Sequence, residues 1–77
     1  MTEITVNDGQ TLLDIALLYY GSTQAVVELC IDNFLEVGAT LSHGQKLLID
    51  PDKVIDSQIV SYYKLKNITP STKYTNE

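Results

Sequence analysis

Few residues in this sequence have the types and spacing that chemistry requires, and each has a competing structural use. Asp50 and Asp52 flank Pro51 and offer a pair of carboxylates. A glycosidase must hold two such groups at a fixed separation across a deep cleft, and a chain of 77 residues has no room for that beside its core. At the end of a strand the two aspartates read more simply as solvated residues with a capping role. Cys30 is the only thiol. It falls on an apolar helical side with no visible activating base, the setting of a small buried hydrophobe rather than a nucleophile. His43 is the only histidine and has no cysteine partner nearby, so no metal centre is expected. No catalytic residue and no cofactor is expected, and the question of function moves to binding.

Charge narrows the partners. Ten Asp and Glu face five Lys and no Arg, for a net charge of −5. Every lysine lies at position 46 or beyond (Lys46, Lys53, Lys64, Lys66, Lys73), whereas residues 1–45 carry only acids: Glu3, Asp8, Asp14, Glu28, Asp32 and Glu36. A body of this sign is repelled by a polyphosphate backbone, which argues against nucleic acid. It argues equally against anionic membrane surfaces and is indifferent to neutral sugars. The longest apolar run, Ile15 to Tyr20, is far shorter than the ~20 residues of a membrane span. Met1-Thr2-Glu3-Ile4 does not open a basic-then-apolar signal segment. Cytoplasmic synthesis without membrane insertion is therefore expected. A single cysteine cannot form an internal disulfide, which fits a reducing compartment or a particle assembled in one.

The elements that would position a binding surface follow from periodicity. Ile4-Thr5-Val6 is β-branched throughout and stops at the turn cluster Asn7-Asp8-Gly9, which predicts a short strand. Thr11 then caps a helix, with Asp14 three residues on as its capping-box partner. Leu12, Ile15, Ala16 and Tyr19 form one apolar stripe, and Leu13, Leu17 and Tyr20 a second beside it. Gly21 supplies the C-cap, and Ser22 or Thr23 starts a second helix over about Gln24 to Asp32. That helix shows Val26, Leu29, Cys30 and Asn33 along one side and Val27, Ile31 and Phe34 along the next. Phe34 to Gly44 reads as a loop. Lys46 to Ile49 reads as a second strand, ended by Asp50-Pro51.

Strand, helix, helix, strand makes an α+β unit over residues 4–50, a βααβ arrangement whose two strands pair antiparallel under the helix pair. Residues 51–66 form a C-terminal extension. Ile55, Ile59, Tyr62 and Lys66 have helical spacing from a cap at Asp52, while Ile59, Ser61, Tyr63 and Leu65 also alternate as a strand would; the helix is favoured. Residues 67–77 are polar and are expected to be a mobile tail. The sequon Asn67-Ile68-Thr69 is discounted because Pro70 follows it.

Five pieces in order carry a resemblance: Ile4-Thr5-Val6; Gly9-Gln10-Thr11-Leu12; Ile15-Ala16 with Tyr19-Tyr20-Gly21; a second helix ending at Asn33; and Gly44-Gln45-Lys46-Leu47 with Ile49. Together they resemble a LysM domain over residues 4 to about 50. The resemblance implies a βααβ fold and non-catalytic recognition of N-acetylglucosamine polymers such as peptidoglycan or chitin. Its sugar groove would lie between residues 8–12 and the loop from Asn33 to about Leu41, with Gly9, Gln10, Thr11, Leu12, Asn33, Phe34 and Leu35 as contacts. The sequence departs from the family where Gln10 stands in place of Asp, and the loop 34–44 is more apolar than a sugar rim should be.

Two functions are expected from this. The first is a small structural or assembly subunit of a phage-tail-like or baseplate particle with some peptidoglycan contact, its partners being other particle subunits. The extension would dock on them through Ile59, Tyr62, Tyr63 and Leu65, since tyrosine is favoured at interfaces. These same side chains can instead pack on the small core. The alternative is a free carbohydrate-binding module for N-acetylglucosamine-containing glycan.

Overall fold

The structure, a computed structural model, describes residues 1–66. In chain order it contains β1 (Thr2–Thr5), α1 (Leu12–Tyr20), a 3-10 turn at Thr23–Ala25, α2 (Val26–Asn33), β2 (Lys46–Ile49), a second 3-10 turn at Pro51–Lys53, and α3 (Ser57–Lys66). It is a small α+β fold: β1 and β2 pair antiparallel, and the helices pack against them. Thr2 faces Ile49, Glu3 faces Leu48, Ile4 faces Leu47 and Thr5 faces Lys46. Alternation sends Leu47 and Ile49 into the core and leaves Lys46 and Leu48 outside. The expected tail lies outside the described residues.

The first strand starts two residues earlier and ends one earlier than its β-branched stretch predicts. Val6 leaves the regular strand, yet its N–H donates to the Gln45 carbonyl (2.8 Å) and its carbonyl accepts from Gly44 N–H (2.9 Å). Backbone pairing thus persists while the Val6 side chain turns fully into the core.

Helix α1 starts where its cap predicts. Thr11 N–H donates to Asp14 Oδ2 (2.8 Å) and Asp14 N–H to Thr11 Oγ1 (3.3 Å), a reciprocal capping box. It ends at Gly21, whose φ of 78° lies in the left-handed region that only glycine adopts without strain. The buried face carries Leu12, Ile15, Ala16 and Tyr20, with Tyr19 at its margin and Leu13 exposed. The second helix is a composite. Ser22 Oγ accepts from Gln24 N–H (3.1 Å) to cap the 3-10 turn, and α2 proper begins at Val26. Leu29 and Cys30 from α2 and Leu41 from the following loop join the core.

The extension is a helix, not a strand, but it starts four residues later than a cap at Asp52 predicts. Pro51 and the Asp50 cap fix residues 51–53 in a 3-10 turn, and Val54 is extended. Ile55 N–H and Asp56 N–H then both donate to the Tyr20 carbonyl at the end of α1 (2.8 and 3.0 Å). Asp56 is the true cap of α3, its Oδ1 accepting from Gln58 and Ile59 N–H (3.0 and 3.3 Å). Two further ties fasten this region. Asp50 N–H donates to the buried Tyr20 hydroxyl (2.9 Å), and Lys53 Nζ bridges Glu28 and Asp32, 3.1 Å from each.

Candidate functional site

The loops on either side of the start of α1 enclose a cleft of about 220 Å³, lined by Gln10, Thr11, Ala39, Thr40 and Leu41. Two of its polar side chains, Gln10 and Thr11, are engaged in holding the fold, and Thr40 is exposed. Gln10 is 3% exposed, and its Oε1 accepts from Asn7 N–H (2.8 Å) across the turn that Gly9 makes at φ 85°. Thr11 is committed to the capping box, its hydroxyl 3.0 Å from Asp14 Oδ2. This volume is below the roughly 300–1,000 Å³ usual for small-molecule sites.

The other contacts that the resemblance implies are spread over the molecule. Leu12 is in the core, and Leu35 packs against it with its N–H on the Cys30 carbonyl (2.9 Å). Asn33 ends α2, but its amide also acts as a short substitute strand. Nδ2 donates to the Leu48 carbonyl (2.9 Å) and Oδ1 accepts from Leu48 N–H (2.7 Å), closing the outer edge of β2. A third bond, from Nδ2 to the Leu29 carbonyl (2.9 Å), fixes its orientation. Phe34 lies outside all of this. Its φ is 57°, left-handed for a bulky residue, and its side chain is 96% exposed. Behind it on the same face of α2 stand Ile31 and Val27, 61% and 51% exposed, so the helix shows an apolar ridge.

A second concavity of about 440 Å³ opens between the sheet, α1 and α3. It takes Ile4 from β1, Leu18 and Tyr19 from α1, Ile49 from β2, and Val60 and the exposed Lys64 from α3. Burial pushes the Tyr19 phenol up, as it does the Cys30 thiol in the core. Sequence reasoning missed this groove because it forms only once α3 docks, and Leu18, one of its walls, stands in neither apolar stripe of α1. The four interface residues expected on the extension separate into two sets. Ile59 and Tyr63 are half-buried, whereas Tyr62 and Leu65 point out, with the two tyrosine rings edge to face at 5.8 Å.

Comparison with family models, with curated proteins and with solved structures finds no match. Among the described residues, no group of three or more His, Cys, Asp or Glu is placed to hold a metal ion, and no helix is long and apolar enough to cross a membrane. Three surfaces are left to weigh for function: the small cleft at Gln10 and Thr11, the apolar ridge, and the groove.

Proposed function

We propose that this chain is a non-catalytic, LysM-like docking module, serving as a small structural subunit of a phage-tail-like or baseplate particle. The observation that carries the reading is Phe34, the only phenylalanine, set almost fully in water on a left-handed backbone at the head of the ridge formed with Ile31 and Val27. Water-facing aromatics grouped with aliphatics mark contact surfaces. The alternative is a binder of N-acetylglucosamine polymers, favoured by the cleft between residues 10–11 and 39–41. Against it stand the cleft's small volume and the prior use of Gln10 and Thr11 in the fold.

Titration of isotope-labelled protein with chitin or peptidoglycan oligomers separates the two. The docking reading expects no amide shifts at millimolar sugar. Saturable shifts confined to residues 8–12 and 33–41 would replace it with the glycan module. For the particle itself, gradient-purified tail-like particles from the producing cells are expected to contain the chain in fixed proportion to their other subunits, and its absence from them overturns that part.

A further inference from the structure

We infer that Phe34 of one molecule docks in the apolar groove of a second copy, joining copies head to tail. The inference deepens the docking reading and rests on it. Its first support is the backbone at Phe34. A left-handed residue after a helix is usually Gly or Asn, and a bulky one there is strained. Phenylalanine at φ 57° is thus a poor choice for ending α2 and an effective way to hold a ring away from the body.

The second support is the match of knob and hole. The groove of about 440 Å³ is walled by Ile4, Leu18, Tyr19, Ile49 and Val60, apolar surface suited to an aromatic ring. Phe34 is 96% exposed and so does not occupy the groove of its own molecule. A second copy can bring the same ring to it.

Charge is the third support. The ridge belongs to the part of the chain that carries only acids. Exposed Glu36 follows Phe34, and Glu28 and Asp32 share the single Lys53. Lys64 of α3 is the charged side chain that lines the groove, with Lys66 further along a helix that carries no acid, while Asp50 and Asp52 flank the groove's Pro51. An acidic knob facing a lysine-edged groove favours the head-to-tail pairing over ridge on ridge.

Because ridge and groove are different patches, each added copy leaves one of each unused, and the contact propagates. A single aromatic with two flanking aliphatics buries less than the ~1,200 Å² of stable interfaces. The association is accordingly weak, and it is read at protein concentrations on the order of 1 mM.

Sedimentation velocity of the full chain tests this. Wild type at about 1 mM is expected to show a weight-average mass at least about twice the monomer's, falling to the monomer's on dilution to about 10 μM. Phe34→Asn, which keeps a residue tolerant of the left-handed backbone, and Val60→Glu, which puts a charge in the groove, are each expected to stay monomeric. An equal mixture of the two retains one intact ridge and one intact groove, so it is expected to form heterodimers and nothing larger. Should Val60→Glu fail to fold, the exposed Lys64→Glu takes its place, with association weakened several-fold. A monomeric wild type, a Phe34→Asn variant that associates like wild type, or a mixture that stays monomeric overturns the inference. A monomeric wild type that still co-purifies with particles overturns the contact between copies alone. An associating protein absent from particles overturns the particle reading alone.

Discussion

The two ends of α1 are held by different kinds of contact. At its start stand local bonds: Asn7 to Gln10, and Thr11 to Asp14 in both directions. At its end the local Gly21 cap is joined by bonds that span 30 residues or more, from Tyr20 to Asp50, Ile55 and Asp56. The local end consumes its polar side chains in folding, so the cleft beside it has little left to offer a ligand. The long-range end docks α3, and that docking builds the larger groove. The groove therefore arises where the extension meets the body.

The sharpest way to break this contrast is at Gly21. A methyl group there would collide with the Asp56 carbonyl, at a φ that L-residues avoid. Gly21→Ala is expected to cost at least about 3 kcal/mol, read by denaturant unfolding as a lowered midpoint. At the other end, Thr11→Ala removes one half of a capping box and is expected to cost about 1 kcal/mol. If Thr11→Ala proves the more damaging, the long-range end is not the stronger anchor.

How much was legible in sequence follows the same divide. The Thr11 and Asp14 box, the Gly21 cap and the close of α2 at Asn33 all rest on neighbours within a helical turn, and each stands where its residue type put it. The second partner of Asn33, the Leu48 backbone 15 residues away, had no local signal. Three aspartates near the extension, Asp50, Asp52 and Asp56, are all plausible caps by type. Only the Tyr20 carbonyl, by taking the N–H groups of residues 55 and 56, decides that Asp56 caps α3. With helix and strand both open there, Ile59, Tyr62, Tyr63 and Leu65 read as one group. At 100° per residue they divide, Ile59 and Tyr63 inward and Tyr62 and Leu65 outward.

A smaller effect of opposite sign concerns the ridge. Phe34→Asn relieves a left-handed aromatic and removes only exposed surface, so it is expected to raise stability by about 0.5–1 kcal/mol. A variant that is more stable yet no longer associates would mark Phe34 as kept for contact rather than for folding; a destabilised variant would assign its ring to the fold.

The last effect is alkaline. Hydrogen bonds to Glu28 and Asp32 hold the Lys53 ammonium above its ordinary range, so its contribution is full below about pH 10.4 and is lost as pH rises through the raised value. Burial likewise holds the Tyr20 phenol protonated beyond its ordinary range. The unfolded chain then releases that proton first, and stability again falls above about pH 10. Melting temperatures from pH 8 to pH 11 are expected to decline only in the upper part of this range, and Lys53→Met is expected to flatten part of the decline.

The most direct test of the claim that the apolar surfaces are the working ones is a pair of amide-shift series on the same labelled sample, one in protein concentration up to about 1 mM and one in chitin oligomer. The account predicts concentration-dependent shifts around Phe34 and at Ile4, Leu18, Tyr19 and Val60, with none from sugar. Sugar-induced shifts at Gln10, Thr11 and residues 39–41, in a spectrum that does not change on dilution, would contradict it.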